Sequence, residues 1–352
     1  MKMTFRWYGP SDPITLDKIR QIPGMTGVVT ALYTIPVGEV WDVDSILALK
    51  MQVNDAGLEM EVIESVPVHE EIKLGSEKRD ALIDNYIQTI RNLAECGVKV
   101  ICYNFMPVFD WVRSELKYVT EDGSNCLAYD QRTVDGLDPR KKSLSLPGWD
   151  ESYSMDELSA LLKRYDEIDE DKLFDNMVYF LGRIIPVCEE CDIKMAVHPD
   201  DPPWSLFGLP RIITSEAQID KLFAAVDSKY NGITLCTGSL GASRGNDLVK
   251  MAGKYAAMDR VHFLHARNII FRETDDGRLF FNESPHPTEC GSLDIYGILK
   301  ALSDNGFNGY TRPDHGRNIW GEDGKPGYGL YDRALGATYL YGVWEAIQKS
   351  KC

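Results

Sequence analysis

Residues 76–105 read SEKRDALIDNYIQTIRNLAECGVKVICYNF. Leu82, Ile83, Tyr86, Ile87, Ile90 and Leu93 recur every three or four residues, so a helix over Ser76–Cys96 has one apolar face. Gly97 is suited to end it, because the residue after a helix often takes a left-handed conformation that glycine adopts without strain. Val98–Phe105 follows at once, short and rich in Val, Ile and aromatics, as a strand should be.

The same alternation extends in both directions. Strands are predicted at Phe5–Gly9, Gly27–Tyr33 and Leu58–Ser65 upstream, and at Ile193–His198, Ile233–Thr237, Val261–Arg267 and Gly309–Asp314 downstream. Helical patterns separate them. Ser215-Glu-Ala-Gln218 fits a capping box. Ser292 precedes the stripe Ile295, Ile298, Leu299 and Leu302, which Gly306 closes. Phe174–Glu190 is helical, with a kink expected at Pro186. Eight strand–helix alternations predict an α/β fold, a single (β/α)8 TIM barrel over residues 1–352. One stretch breaks the rhythm: 106–170 is long, polar and rich in Gly, Pro, Asp and Lys. A loop of that length after a strand end is expected to be a lid or substrate-binding insertion.

Composition narrows the class. Apolar residues make up 44% and charged residues 26%, as in globular proteins, and no run of about 18 apolar residues exists to span a membrane. The N-terminal residues show no apolar targeting segment. The cysteines at 96, 102, 126, 188, 191, 236, 290 and 352 form no dense framework, so reduced thiols and a cytoplasmic location are expected. Cys188 and Cys191 make a CxxC pair without a second pair or a thioredoxin-like context. No P-loop, complete GxGxxG fingerprint or GxSxG elbow is present. A net charge of -16 repels phosphate backbones and argues against nucleic acid. It would equally repel an anionic substrate, so binding one requires a local cluster of positive groups.

Active sites of such barrels lie at the C-terminal ends of the strands. There, four consecutive predicted strands present His198, Cys236, His265 and Asp314. On strand seven, His262 and His265 differ by an odd number and face opposite ways. His265, nearer the strand end, is the better ligand. A lone Cys is usually a small buried hydrophobe and a lone His a core group; four in register point to a metal. Four protein ligands leave room for substrate only if the ion exceeds tetrahedral coordination, which suits Mn2+ or Fe2+ better than Zn2+, and the thiolate disfavours Mg2+ and Ca2+. Arg267, Arg312 and Arg317 are candidates for the positive cluster. Tyr8, His69 and Asn104, at or beyond strands one, three and four, are candidate contacts for substrate hydroxyls. Asp200 and Asp201 read as loop-fixing groups.

Longer motifs carry a resemblance. IPGMTGVVTALYTIPVGEVW (22–41), VIESVPVH (62–69), YNFMPVFDW (103–111), HPDDPP (198–203), RPDHGR (312–317) and PGYGLYDRALG (326–336) resemble the mannonate dehydratase family, across nearly the whole chain. The resemblance implies a xylose-isomerase-like barrel, a lyase that converts D-mannonate to 2-dehydro-3-deoxy-D-gluconate in hexuronate (glucuronate) breakdown, and one Mn2+ or Fe2+ per chain. It implies His198, Cys236, His265 and Asp314 as ligands and His315 with Tyr328 as the acid–base pair, with Tyr331 a nearby alternative. A phenol acting as a base would need positive charge beside it, from the metal or Arg317. A homo-oligomer, dimeric, acting on a small sugar acid is the accompanying expectation. The rivals are a sugar isomerase or epimerase on the same barrel, a phosphodiester-cleaving enzyme, and a sugar-acid binding protein without turnover.

Overall fold

Short apolar runs punctuated by amphipathic helices form a parallel sheet buried on both faces, either open or closed into a barrel. In the computed structural model, which describes residues 1–140, 154–274, 277 and 279–351, the sheet closes. The described strands are β1 (Lys2–Arg6), β2 (Met25–Thr30), β3 (Glu59–Glu64), β4 (Val100–Tyr103), β5 (Glu115–Val119), β6 (Asn125–Asp130), β7 (Lys194–Val197), β8 (Asn231–Cys236), β9 (Val261–Ala266), β10 (Asn268–Glu273), β11 (Leu279–Ser284) and β12 (Tyr310–Pro313). Eight of them form a closed barrel in the order β1-β12-β9-β8-β7-β4-β3-β2. Side-chain alternation divides each strand between two cores. Val29, Val62, Val100, Cys102, Ala196 and Phe263 fill the interior. Their neighbours Val28, Ile63, Ile101 and Leu264 face the helices. Thus β7, β8, β9 and β12 are consecutive neighbours, with Cys236 opposite His265 and His265 opposite Arg312.

Each of the eight predicted strands overlaps a barrel strand, but the bounds move: β1, β2 and β8 begin earlier than predicted, and the others are shorter. β1 ends at Arg6 rather than Gly9: Trp7 N still bonds Val29 O at 3.0 Å, but Tyr8 N turns to Asp12 Oδ2 at 2.8 Å. The helix predicted from Ser76 is Arg79–Glu95, and Gly97 (φ 79°) follows it. Ser215 caps its helix through Gln218 N, but the Gln218 side chain reaches back to Thr214 N. Asp294, not Ser292, caps the helix Ile295–Asp304; Ser292 Oγ instead accepts from Phe271 N. The helix Glu170–Cys191 is continuous through Pro186.

The larger departure is a second sheet, antiparallel, in the order β10-β11-β6-β5. The expected loop at 106–170 contributes β5, β6 and the helices Gln131–Asp135 and Met155–Tyr165; residues 141–153 of that insertion lie outside the described residues. β10 leaves β9 after a single residue, Arg267, and pairs with β11, which pairs with β6 across some 150 positions (Phe280 opposite Asp130). That pairing stands the sheet beside the ends of β8, β9 and β12.

Candidate active site and metal centre

The ends of β7 and β12, where His198 and Asp314 stand, are held by the strands beside them. His198 N bonds Tyr103 O at 2.6 Å and Asp314 N bonds Ala266 O at 3.0 Å, extending the ladders past β7 and β12. The His198 ring lies with Nδ1 2.7 Å from the Pro199 carbonyl. A carbonyl only accepts, so Nδ1 carries the proton and Nε2 is left with a free lone pair. One ligating atom each from His198, Cys236 and His265 fall within 4.8 Å of one another. Asp314 Oδ2 is 3.4 Å from Cys236 Sγ, and Asp314 Oδ1 is 3.7 Å from His265 Nδ1. Ligands about 2.0–2.3 Å from one ion lie at most about 4.6 Å apart, so His198, Cys236 and His265 are spaced much as donors to one transition-metal ion would be, with Asp314 beside them. His262 is on the opposite face of β9, against Gly232, where an added Cβ would come within 2.3 Å of its Nε2.

Around these donors lies a buried lattice of charge. Arg312 donates to both oxygens of Glu64, at 2.9 and 3.0 Å, and its Nη2 is 2.8 Å from Asp314. Glu64 also approaches His265 Nε2 and Arg6 Nη1, each at 3.3 Å. Arg267 reaches Asp201 at 2.8 Å, Glu283 at 3.0 Å and Asp314 at 3.2 Å. Arg113 doubly bonds Asp201, at 2.8 and 3.0 Å. Burial by itself would favour protonated carboxyls. For Asp314, the groups His315, Arg312, Arg267 and His265 reverse this and hold the carboxyl well below the ordinary carboxylate range. Arg312, His265 and Arg6 do the same for Glu64, and Arg113 and Arg267 for Asp201. Four arginines here meet four carboxylates, so the expected positive cluster is a balanced one: Arg267 and Arg312 are committed to acids. Asp200 accepts from Ile212 N and Ile213 N at 2.9 and 2.7 Å and fixes the loop after β7.

His315 and Tyr328 meet beside Asp314. His315 Nε2 is 3.0 Å from the Tyr328 hydroxyl, and Nδ1 is 2.6 Å from Glu283 Oε1 on β11. Burial raises the Tyr328 phenol above its ordinary value, against the opposing influence of Arg312 and Arg6. The Tyr8 ring stands edge-on to Tyr328, centroids 5.1 Å apart. Both line a cavity of about 390 Å³ with Asp12, Glu322, Lys325 and Tyr331, and Lys325 Nζ lies 3.7 Å over the Tyr8 ring. Tyr331 opens the helix Tyr331–Lys349 and packs on Trp320, so Tyr328 is the tyrosine at His315.

The chain matches the family model of D-mannonate dehydratase (UxuA) over residues 1–352. It belongs to the D-mannonate dehydratase family. A mannonate dehydratase of Thermotoga petrophila is 55% identical over 361 aligned residues, covering 100% of this chain and 99% of the relative. The crystal structure of mannonate dehydratase from Streptococcus suis serotype 2 superposes with a TM-score of 0.90 at 46% identity, covering 100% of this chain and 94% of that one. A xylose isomerase-like TIM barrel protein from Mycobacterium smegmatis shares the fold at a TM-score of 0.56 and 14% identity, over 94% of this chain and 87% of that one.

In this member of the D-mannonate dehydratase family, three residues expected as substrate contacts have local partners of their own. His69 caps the short helix Glu70–Lys73, its Nδ1 accepting from Glu71 N at 3.0 Å. The Asn104 side chain accepts from Met106 N at 3.1 Å and shapes the turn after β4. Arg317 pairs with Asp332 and Asp122, at 2.9 and 2.6 Å, so Arg312 and Arg6 rather than Arg317 act on the Tyr328 phenol. Sequence reasoning missed Arg6, Glu64, Arg113 and Glu283. Glu64 had a local signal, two residues after inward-facing Val62 at a strand end; Arg113 and Glu283 had none.

Proposed function

We propose that the protein eliminates water from D-mannonate to give 2-dehydro-3-deoxy-D-gluconate, a step of hexuronate breakdown. The observation that carries this is the His315–Tyr328 hydrogen bond placed against four metal-type donors on adjacent strand ends. Removing the C2 proton of a sugar acid puts a second negative charge on its carboxylate, and C3 hydroxide leaves only with a proton. An Mn2+ or Fe2+ ion held by His198, Cys236, His265 and Asp314 would give the balanced cluster a positive excess and, as a Lewis acid, offset that charge.

The protons fall to the chain itself. Tyr328, with its phenol raised by burial, is protonated at neutral pH and serves as the donor to the C3 oxygen. His315 Nε2 accepts the C2 proton. Across their 3.0 Å hydrogen bond His315 can then return a proton to the phenolate, restoring both groups while the enol becomes the keto acid. Tyr8, Tyr328 and Lys325 line the cavity that would receive the rest of the sugar chain.

The same proposal places the enzyme in the cytoplasm as a homo-oligomer. In support, the seven described cysteines are all free, and the exposed Trp320 (74%) and Tyr331 (44%) rings lie against each other at the surface, where a second copy could cover them. Incubation of Mn2+-loaded protein with D-mannonate, with detection of the 2-keto-3-deoxy acid, tests the activity. Tyr328→Phe and His315→Asn should each lower kcat by about 10²–10⁴-fold with metal retained. Near-normal turnover in both variants would remove the pair from the mechanism.

A further inference from the structure

The second sheet delivers one carboxylate to the barrel mouth. Glu283 lies on β11 opposite Ile269 of β10, and only 1% of it is exposed. Its Oε1 meets three groups: His315 Nδ1 at 2.6 Å, Arg267 Nη1 at 3.0 Å and Arg113 Nη2 at 3.6 Å. Arg113 comes from the stretch between β4 and β5, and Arg267 from the residue joining β9 to β10. Glu283 is thus pinned from both insertions, and the His315 ring sits between Glu283 on one nitrogen and Tyr328 on the other. Trp111 packs edge-on to that ring, centroids 6.3 Å apart.

The Nδ1 contacts look contradictory. Arg267 Nη1 is also 3.0 Å from His315 Nδ1, and a guanidinium can only donate, whereas a carboxylate oxygen in ordinary ionised form can only accept. Two facts resolve the triangle. The carboxylate contact is the shorter, and a bare nitrogen lone pair 2.6 Å from a carboxylate oxygen would be repulsive. Arg267 Nη1 has its own acceptor in the same Glu283 Oε1, which can take two hydrogen bonds.

We propose that Glu283 is a positioning residue that holds His315 with the proton on Nδ1, so that Nε2 is the nitrogen offered to Tyr328 and the substrate. The inserted sheet then acts in the chemistry through Glu283, without touching substrate. The inference rests on the assignment of His315 and Tyr328 as the proton-handling pair.

Nitrogen NMR of the full-length, chelator-treated chain carrying 15N-histidine reads the tautomer directly. The chain has six histidines, and the His315 signals are those lost in His315→Asn. A protonated Nδ1 is the expected result; a bare Nδ1, with Arg267 as its donor, overturns the proposal. Kinetics of the Mn2+-loaded Glu283→Gln variant supply the second readout. The expected result is a kcat lowered about 100-fold, with KM within about twofold and metal content unchanged. An unchanged kcat overturns it. Because Glu283→Gln also disturbs Arg113 and Arg267, the wild-type tautomer decides the matter even where that variant folds poorly. Full activity in both His315→Asn and Tyr328→Phe would instead sink the underlying pair, whatever nitrogen carries the proton.

Discussion

Asp201→Asn removes one negative charge from between two buried guanidinium groups. The native carboxylate accepts from Arg113 Nη1 and Nη2 at 2.8 and 3.0 Å, from Arg267 Nη2 at 2.8 Å and from Ser239 Oγ at 3.1 Å. The Asp201 side chain is 4% exposed, and those of Arg113 and Arg267 are 0% and 1%. Water therefore cannot replace the lost charge, and an amide cannot present two accepting oxygens to the Arg113 fork. Breaking a buried pair on one side costs about 3–5 kcal/mol. Unfolding entropy of about 2.1 cal/mol/K per residue amounts to about 0.7 kcal/mol/K for 352 residues, so Tm should fall by about 4–7 °C. Calorimetry of the chelator-treated protein at one fixed scan rate measures this. The exposed Asp175→Asn serves as the control, expected within about 1 °C. A fall of less than about 1 °C in Asp201→Asn would refute the buried-lattice argument.

Two further outcomes follow from the same geometry. Cys236→Ser replaces the soft donor of the set and should weaken binding of Mn2+ or Fe2+ by about tenfold or more, read by equilibrium dialysis; unchanged affinity would remove Cys236 from the ligands. Glu64, Asp201 and Asp314 all have folded-state pKa values below the unfolded value of about 4, so the stability they contribute is complete above about pH 5. It is lost as pH falls towards and through their folded values. The urea midpoint of metal-free protein should drop steeply between about pH 5 and pH 3, and a flat profile there would contradict these directions.

Much of the barrel was legible because its signals are local. The helix Arg79–Glu95 and strand β4 follow from apolar spacing and from Gly97. That His198, Cys236, His265 and Asp314 lie close together was legible because strand ends on neighbouring strands of a barrel converge, and parity separated His265 from His262. Element ends were less legible. Whether Ser292 or Asp294 caps a helix, or where β1 stops, depends on which side chain captures one backbone N–H.

The sequence by itself determined the alternation of strand and helix, the face of each strand and the residue types at its ends, since each of these is set by neighbours within a few positions, while closure is a property of how the strands pair. Its long motifs likewise carried the family resemblance and, with it, the sugar acid. Only the tertiary structure decided what those residues are committed to. β5 and β6 lie far along the chain from β10 and β11, and no local pattern announces that they pair or that they bring Arg113 and Glu283 to His315. Arg267 and Arg312 looked like free positive charge until their acids were seen beside them, because ion pairing between distant residues depends on distance in space, which spacing in sequence does not encode. The cluster of metal-type donors at the mouth was therefore readable from the chain, while the charge lattice around it came from the fold.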